Sequence, residues 1–293
     1  MSLSDAFRCV RCDVPLAMYT RLQLGGKAEF FAEPETENEL ISLLKHCRQE
    51  QTPVHVIGTG ANILVPDDGV AGLTIALSRP AFNGITVAGQ RITAGAGTKF
   101  GQIITQAVVS GLGGIEGLIG IPGTLGGILA GNSGTNANGD VGQCVESVRI
   151  ADFAGNVSDI PKRDITFAYR DSSLDSAVIL SATLLLDKDD PAELAKRMQK
   201  LWIVCKTQQP AGELPSIYPF KNPTSGTSAG DLIDQAGLKG TKVGGAGVSE
   251  RNAGFIVVEP ECIANDVVRL ISLIKDEVAN LTEIELETAL QIW

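Results

Sequence analysis

The chain has 293 residues, and 34 acidic residues against 24 basic ones give it a formal net charge of −10. Nucleic acid is not an expected partner, because binding through phosphates requires a basic surface. Hydrophobic residues at 44% and charged residues at 20% exclude a disordered protein and are typical of a globular one, large enough for two domains.

No segment predicts a secretory signal or a membrane span. The longest nearly uncharged run, 111–131, carries a glycine at almost every second or third position. Such a run cannot form the continuous apolar helix of about 20 residues that a bilayer requires. The expected location is therefore the cytoplasm, without membrane insertion.

The six cysteines have no disulfide-framework spacing, which agrees with a reducing compartment. Cys9 and Cys12 form a lone C-x-x-C, and a zinc knuckle would need a second pair, which the sequence lacks. No metal site is predicted, and the role of the pair stays open.

Helices and strands follow one another without a regular repeat. The predicted strands are 53–57, 72–77, 85–88, 91–94, 145–153 and 178–186. The predicted helices are one from the capping box at Thr36, 99–110 ended by Gly111, 190–205, 228–236 ended by Gly237, and 265–278. Apolar residues recur at helical spacing in the first of these (Leu40, Leu43, Leu44 and Cys47) and on one face of the last (Val267, Leu270, Ile271 and Ile274). A loop rich in proline and glycine, 209–226, is the predicted boundary before the last third. This order favours an α+β fold over a Rossmann sheet.

Residues 56–65, V-I-G-T-G-A-N-I-L-V, predict a strand, a glycine-rich turn and a second apolar strand. Glycines in such a turn let successive N–H groups point inward and form an anion-binding nest suited to a pyrophosphate. The segment matches neither the dinucleotide-binding G-x-G-x-x-G nor the phosphate-binding loop that ends in G-K-[ST]. A tight hairpin is the alternative.

Residues 111–139 form a second, longer glycine-rich segment. Each glycine destabilises a regular element by about 1 kcal/mol relative to alanine, so close approach of the backbone to a ligand is the expected reason for them. Small residues at 123–127 and 132–134 would let main-chain amides contact a flat ring system. A flexible linker is the alternative, which the apolar residues of the segment disfavour.

Six segments in chain order carry a more specific signal. They are T-R-L-Q-L-G-G (20–26), G-T-G-A-N-I-L-V (58–65), G-I-P-G-T-L-G-G (120–127), Y-R-D-S (169–172), F-K-N-P (220–223) and S-A-G-D-L-I-D-Q-A-G-L-K-G (228–240). Together they resemble the UDP-N-acetylenolpyruvoylglucosamine reductases, the flavoenzymes of peptidoglycan precursor synthesis. The resemblance covers roughly residues 19–292.

The resemblance implies an α+β fold: a vanillyl-alcohol-oxidase/PCMH-type FAD-binding region of two α+β subdomains, followed by a smaller α+β substrate-binding domain. The expected boundaries are an N-terminal extension at 1–18, the FAD-binding region at 19–207 and the substrate-binding domain at 208–293. It also implies non-covalent FAD, NADPH, a sugar-nucleotide substrate and a monomer.

The implied cofactor-binding residues lie mostly in the two glycine-rich segments; they are Ile57, Gly58, Thr59, Gly60, Ala61, Asn62, Leu64, Gly97, Gly120, Ile121, Pro122, Gly123, Thr124, Gly126, Gly127, Asn132 and Gly134. The implied substrate-binding residues are Tyr169, Lys221, Asn222 and Lys239.

In the family, NADPH reduces the flavin, the flavin gives hydride to the enolpyruvyl group, and a serine protonates the adjacent carbon, while an arginine and a glutamate stabilise the enolate. Arg170 keeps its motif and is the expected arginine. Tyr218 occupies the serine's position and Ala289 the glutamate's. Glu287, two residues away and on the same face if the segment is a strand, is the candidate replacement.

These departures leave several hypotheses open. Either Tyr218 or a water replaces the serine, or Tyr218 only packs at the pocket mouth. The chain then catalyses the family's reaction, binds a flavin or nucleotide without turnover, or reduces a different acceptor.

Overall fold

The computed structural model describes residues 3–135, 138–210, 214–224 and 226–293. Residues 1–2 of the predicted extension, 136–137 of the second glycine-rich segment, and 211–213 and 225 of the predicted boundary loop lie outside the described residues. The helices are α1 (Leu3–Ala6), α2 (Glu37–Glu50), α3 (Phe100–Val109), α4 (Leu125–Ala130), α5 (Pro191–Gln208), α6 (Ala229–Gln235) and α7 (Ala264–Thr282).

The strands of the first half are β1 (Val10–Pro15), β2 (Lys27–Ala32), β3 (Val54–Ile57), β4 (Ile63–Leu64), β5 (Val70–Ala76), β6 (Ile85–Ala88), β7 (Arg91–Gly95), β8 (Leu112–Gly113), β9 (Gly134–Thr135), β10 (Gly139–Asp140) and β11 (Val145–Asp152). The later strands are β12 (Val157–Pro161), β13 (Phe167–Ala168), β14 (Asp171–Ser172), β15 (Ala177–Leu185), β16 (Asp187–Lys188), β17 (Ser216–Ile217), β18 (Lys242–Val243), β19 (Ala246–Val248), β20 (Ile256–Val258) and β21 (Gln291–Ile292).

The chain divides into two compact units. The first contains Met1–Asp13, Glu29–Thr59 and Ala71–Cys205, and the second contains Val14–Ala28, Gly60–Val70 and Lys206–Trp293. The second unit therefore takes two short segments from the first quarter of the chain as well as the C-terminal third. The functional domains expected at 19–207 and 208–293 stay a prediction.

The largest sheet of the first unit has the strand order β12-β11-β15-β7-β6 and is antiparallel throughout. Helices α3 and α4 bury apolar residues in the same core as this sheet. Helix α3 spans nearly all of the predicted 99–110, and Gly111 follows it with a φ of +67°, the left-handed conformation that glycine adopts readily.

A second sheet has the order β1-β2-β5-β3, and its β3 runs parallel to β5. Helix α2 buries Leu40, Leu43 and Leu44, three of the apolar positions that predicted it. The Thr36 hydroxyl accepts the Glu39 N–H at 3.2 Å, so the predicted helix start is confirmed.

The second unit is built on an antiparallel sheet of order β17-β20-β19-β18 with α6 and α7. The Ser228 hydroxyl caps α6 by accepting the Asp231 N–H at 3.1 Å, and Gly237 follows its end with a φ of +69°. Helix α7 buries Val267, Leu270, Ile271 and Ile274, the predicted apolar face. Within the described ranges, no helix is both long and apolar enough to cross a bilayer.

Candidate active site

The first glycine-rich segment is not a hairpin. Strand β3 pairs in parallel with β5, and β4 pairs in parallel with β21, so the strands on either side of the turn belong to different sheets. A Cβ at Gly58 would overlap the Thr124 hydroxyl, and a Cβ at Gly60, whose φ is +56°, would overlap the Tyr19 carbonyl. The hairpin alternative is wrong. Close approach of the Thr124 side chain to Gly58 and of the Tyr19 backbone to Gly60 explains the two glycines.

The second glycine-rich segment is an ordered loop and helix over its described residues, not a linker. The Leu125 N–H donates to the Thr98 carbonyl at 2.9 Å, and the Gly126 N–H donates to the Ala96 carbonyl at 2.8 Å. The loop before α4 turns at Gly123, whose φ is +151°. The start of α4 is therefore fixed against the segment that joins β7 to α3.

One feature of this segment and one of the segment that joins β7 to α3 fit a bound flavin. A Cβ at Gly127 would meet nothing closer than the Thr124 hydroxyl at 3.8 Å, so one side of this backbone is open to a flat group. The Thr98 hydroxyl is buried and has no hydrogen-bond partner in the part of the chain that the structure describes. Buried hydroxyls normally have hydrogen-bond partners, so a ligand atom is a candidate partner for the Thr98 hydroxyl. At Gly97 a Cβ would overlap the Leu77 carbonyl, so packing also requires glycine there.

Some predicted cofactor-binding residues make contacts with protein that account for them. Ile57 and Leu64 have exposed fractions of 1% each, so both residues are packed within the protein. The Asn62 carboxamide donates to the Ala289 carbonyl at 2.7 Å, and a Cβ at Gly134 would overlap the Gly139 carbonyl. The FAD contacts expected of these residues stay a prediction.

Tyr169 and Arg170 form the two-residue loop of the β13–β14 hairpin. Its strands pair Phe167 with Ser172 and Ala168 with Asp171. Arg170 has a φ of +58°, a conformation that costs a residue with a side chain free energy. The structure therefore places both predicted residues of this motif side by side at a constrained turn.

Tyr218 is held by its hydroxyl and by its ring. The hydroxyl donates to Asn222 Oδ1 at 3.0 Å, and the Ala229 N–H donates to the same oxygen, also at 3.0 Å. The ring packs edge-on against Phe255 with centroids 5.2 Å apart, and a Cβ at Gly254 would overlap it. These contacts support the packing role, and the proton-donor role stays a prediction.

The segments that carry Lys221 and Glu287 lie side by side. The Lys221 N–H donates to the Glu287 carbonyl at 2.8 Å, and the Lys221 ammonium lies 3.2 Å from Glu287 Oε2. The Glu287 side chain is 75% exposed. The Ala289 N–H donates to the Pro219 carbonyl at 2.7 Å, so the position where the family has its glutamate is held by backbone. Lys239 pairs instead with Asp234 at 2.6 Å.

These pairings within the second unit do not follow from the sequence. Nothing local in F-K-N-P or in the last residues indicates that the two segments meet. The opposite charges of Lys221 and Glu287 were the one hint in the sequence that the two segments pair.

The two cysteines at the start of the chain lie in different environments. Burial, followed by a hydrogen bond to Glu39, raises the pKa of the Cys9 thiol to about 12. Cys12 is exposed, and both thiols are free. Over the described ranges, the structure has no group of three or more side chains suited to hold a metal. The Cys9 thiol therefore stays protonated at neutral pH.

Known proteins match the chain along nearly its whole length. Residues 209–293 match the family model described as the C-terminal domain of UDP-N-acetylenolpyruvoylglucosamine reductase, and residues 28–160 match an FAD binding domain. The reductase of Rhodopirellula baltica is 36% identical over 289 residues, which cover 99% of this chain and 94% of that protein. The chain belongs to the UDP-N-acetylenolpyruvoylglucosamine reductase family.

Two further members support the assignment. The reductase of Moorella thermoacetica is 36% identical over 280 residues, which cover 95% of this chain and 91% of that protein. The crystal structure of the reductase from Thermus caldophilus superposes with a TM-score of 0.83 at 32% identity, covering 97% of this chain and 99% of that one. The predicted fold class, with its FAD-binding region, and the FAD cofactor are confirmed.

Proposed function

We propose that this chain reduces the enolpyruvyl group of UDP-N-acetylenolpyruvoylglucosamine to give UDP-N-acetylmuramate, as a cytoplasmic monomer that uses NADPH. Similarity to reductases of that name over 99% of the chain carries the proposal. When bound, non-covalent FAD supplies the hydride chemistry between NADPH and the substrate.

Arg170 is the proposed electrostatic catalyst. Its guanidinium is always charged and offers five N–H donors in a planar fork. Negative charge develops on the substrate carboxylate as the enolate forms, and a fixed cation stabilises that charge best when it needs no rearrangement. The constrained turn at Arg170 gives its side chain such a fixed origin.

Lys221, Tyr169, Asn222 and Lys239 are the proposed substrate-binding residues. The sugar nucleotide carries a diphosphate, and a lysine ammonium binds phosphate as a compact charge. The Lys221 side chain is 28% exposed, and its ammonium already faces one anionic group, the Glu287 carboxylate. We propose that the substrate's diphosphate takes that place on Lys221.

Tyr218 is the proposed proton donor. Its hydroxyl would leave Asn222 and give its proton to the carbon next to the one that receives hydride, and would then recover a proton from water. Asn222 Oδ1 keeps the Ala229 N–H as a donor when this happens, so no buried acceptor is left without a partner.

A second candidate is a flavin-binding relative without turnover, or with a different acceptor. Its support is that the Tyr218 hydroxyl is bonded to Asn222, that position 289 is an alanine, and that Glu287 is exposed and paired with Lys221.

One experiment separates the candidates. The FAD-loaded protein is mixed with NADPH without oxygen, and the flavin absorbance is followed before and after the enolpyruvyl sugar nucleotide is added. Bleaching followed by recovery on substrate supports the proposal. Bleaching that only oxygen reverses indicates another acceptor, and no bleaching indicates a binding role. Failure to take up FAD contradicts both candidates.

A further inference from the structure

We propose that Asn132 is a positioning residue that holds the Arg170 hairpin in its reactive geometry. The proposal rests on the catalytic role proposed for Arg170. Asn132 is 2% exposed and follows the end of α4. Its Nδ2 donates to the Ala168 carbonyl at 2.8 Å, and the Gly142 N–H donates to its Oδ1 at 3.1 Å. Both ends of the carboxamide are therefore bonded to backbone.

The Ala168 carbonyl is an effective point at which to hold the hairpin. Ala168 pairs with Asp171, the last pair before the two-residue loop, and it directly precedes Tyr169 and Arg170. A bond to this carbonyl fixes the peptide plane at the entry to the loop. The direction in which the loop leaves the strand follows from that plane.

A second bond holds the other strand of the hairpin to the same place. The Ser172 hydroxyl donates to the Ala130 carbonyl at 2.8 Å, and it accepts the Leu174 N–H at 3.4 Å. Ala130 is the last residue of α4, two residues before Asn132. The end of α4 therefore binds one strand through a carboxamide and the other through a carbonyl.

Tight packing gives the Asn132 carboxamide a single orientation. A Cβ at Gly142 would lie 2.6 Å from Phe167 Cγ and 2.9 Å from Asn132 Oδ1, so only glycine fits there. The oxygen must face the Gly142 N–H and the nitrogen must face the Ala168 carbonyl, because a flipped amide would leave two like groups opposed.

The conformation of Arg170 explains why such a support matters. A φ of +58° is unfavourable for arginine and persists only where the surroundings enforce it. A catalytic group displaced by about 1 Å loses about 10²-fold in rate. A bonded hairpin entry therefore keeps the guanidinium in place during the reaction.

The test uses Asn132→Asp, which keeps the acceptor for Gly142 and removes the donor to Ala168. The recovery of reduced flavin on adding substrate should slow by about 10²-fold, and kcat should fall with little change in KM. Flavin reduction by NADPH and the FAD dissociation constant should stay within about twofold, because Arg170 acts only on the substrate. Asn156→Asp is the matched control: Asn156 donates to Asp152 at 2.8 Å in the exposed turn between β11 and β12.

A double-mutant cycle with Arg170→Lys decides whether Asn132 acts through the arginine. The combined variant should be little slower than the slower single variant, because residues that act as a unit are not additive. Additive losses of the recovery rate would overturn the proposal. It would also be overturned if Arg170→Lys slowed recovery while Asn132→Asp did not. A weakened FAD affinity with unchanged recovery would make Asn132 a cofactor ligand instead.

The cycle can also return an ineffective Arg170→Lys or an Asn132→Asp that does not fold. If Arg170→Lys alone has no effect, the proposed function fails rather than the role of Asn132 in holding the hairpin. If Asn132→Asp does not fold, Gly142→Ala displaces the same carboxamide from its other side and should give the same slow recovery; normal recovery in a folded Gly142→Ala would overturn the proposal.

Discussion

The hairpin of the first unit and the two paired segments of the second unit hold their candidate residues in different ways. In the hairpin, hydrogen bonds from Asn132 and Ser172 support the backbone around Arg170. In the paired segments, the side chains of the candidate residues bind one another, Tyr218 to Asn222 and Lys221 to Glu287. The hairpin thus supports its candidate side chains through the backbone, whereas the paired segments hold theirs through contacts between side chains.

The backbone at Ala289 is bonded on both sides to other segments of the second unit. Ala289 receives a hydrogen bond from Asn62 at its carbonyl and donates its N–H to the Pro219 carbonyl. The position where the family carries an acid is therefore held by the main chain.

The largest expected effect is that of Arg170→Lys in the hairpin. Lysine keeps the charge but not the planar fork of donors, so substrate-driven recovery of reduced flavin should slow by about 10²- to 10³-fold. Stopped-flow absorbance measures this step, and flavin reduction by NADPH serves as an internal reference. Arg163→Lys is the matched control, because the Arg163 side chain is 84% exposed in the same unit. Equal rates for the two variants would contradict the role of Arg170.

Tyr218→Phe, in the paired segments of the second unit, has the next largest expected effect. The variant keeps the ring that packs on Gly254 and Phe255 and removes only the hydroxyl. If that hydroxyl donates the proton, turnover should fall by about 10²-fold, the lower end of the range for general acid catalysis. Steady-state rates and thermal unfolding are measured together. Normal turnover with a lower melting temperature would leave Tyr218 a packing residue.

The helix ends and the main strands follow from local sequence. Thr36 and Ser228 begin helices as N-caps, and Gly111 and Gly237 follow helices with positive φ, because the hydrogen bonds and conformations involved span only a few residues. Apolar spacing likewise predicted the buried face of α7. Such signals require no knowledge of distant parts of the chain.

The contacts that complete the site do not follow from local sequence. The bond between Asn62 and Ala289 joins residues 227 positions apart, and β4 finds its partner in the last residues of the chain. The role of Asn132 was predicted as cofactor binding because it lies in a glycine-rich run, while the carbonyl that it binds lies 36 positions away. Packing decides these pairs, and a pattern of a few residues contains no information on it.

Glu287→Gln separates an ion pair from a catalytic acid. Removing the carboxylate frees the Lys221 ammonium for the anionic substrate, so KM should fall by about two- to fivefold, the size expected of a solvent-exposed pair. The value of kcat should stay unchanged, because the Glu287 side chain is 75% exposed. Glu285→Gln, at an exposed glutamate two positions earlier, is the control. A fall in kcat of about 10²-fold would instead support Glu287 as the replacement for the family's acid.

Asn62→Ala has the smallest expected effect and tests whether the Asn62 carboxamide stabilises the segment around Ala289. It removes one hydrogen bond of 2.7 Å to the Ala289 carbonyl, and such a bond contributes about 1 kcal/mol to the free energy of unfolding. The melting temperature should fall by about 2–4 °C. Asn280→Ala, at an exposed position of α7, should leave it unchanged. A loss of FAD affinity from Asn62→Ala without a change in melting temperature would show that the carboxamide serves the cofactor. A lower melting temperature at unchanged FAD affinity would show that the carboxamide serves the C-terminal segment, because its bond to the Ala289 carbonyl then contributes to stability and not to cofactor binding.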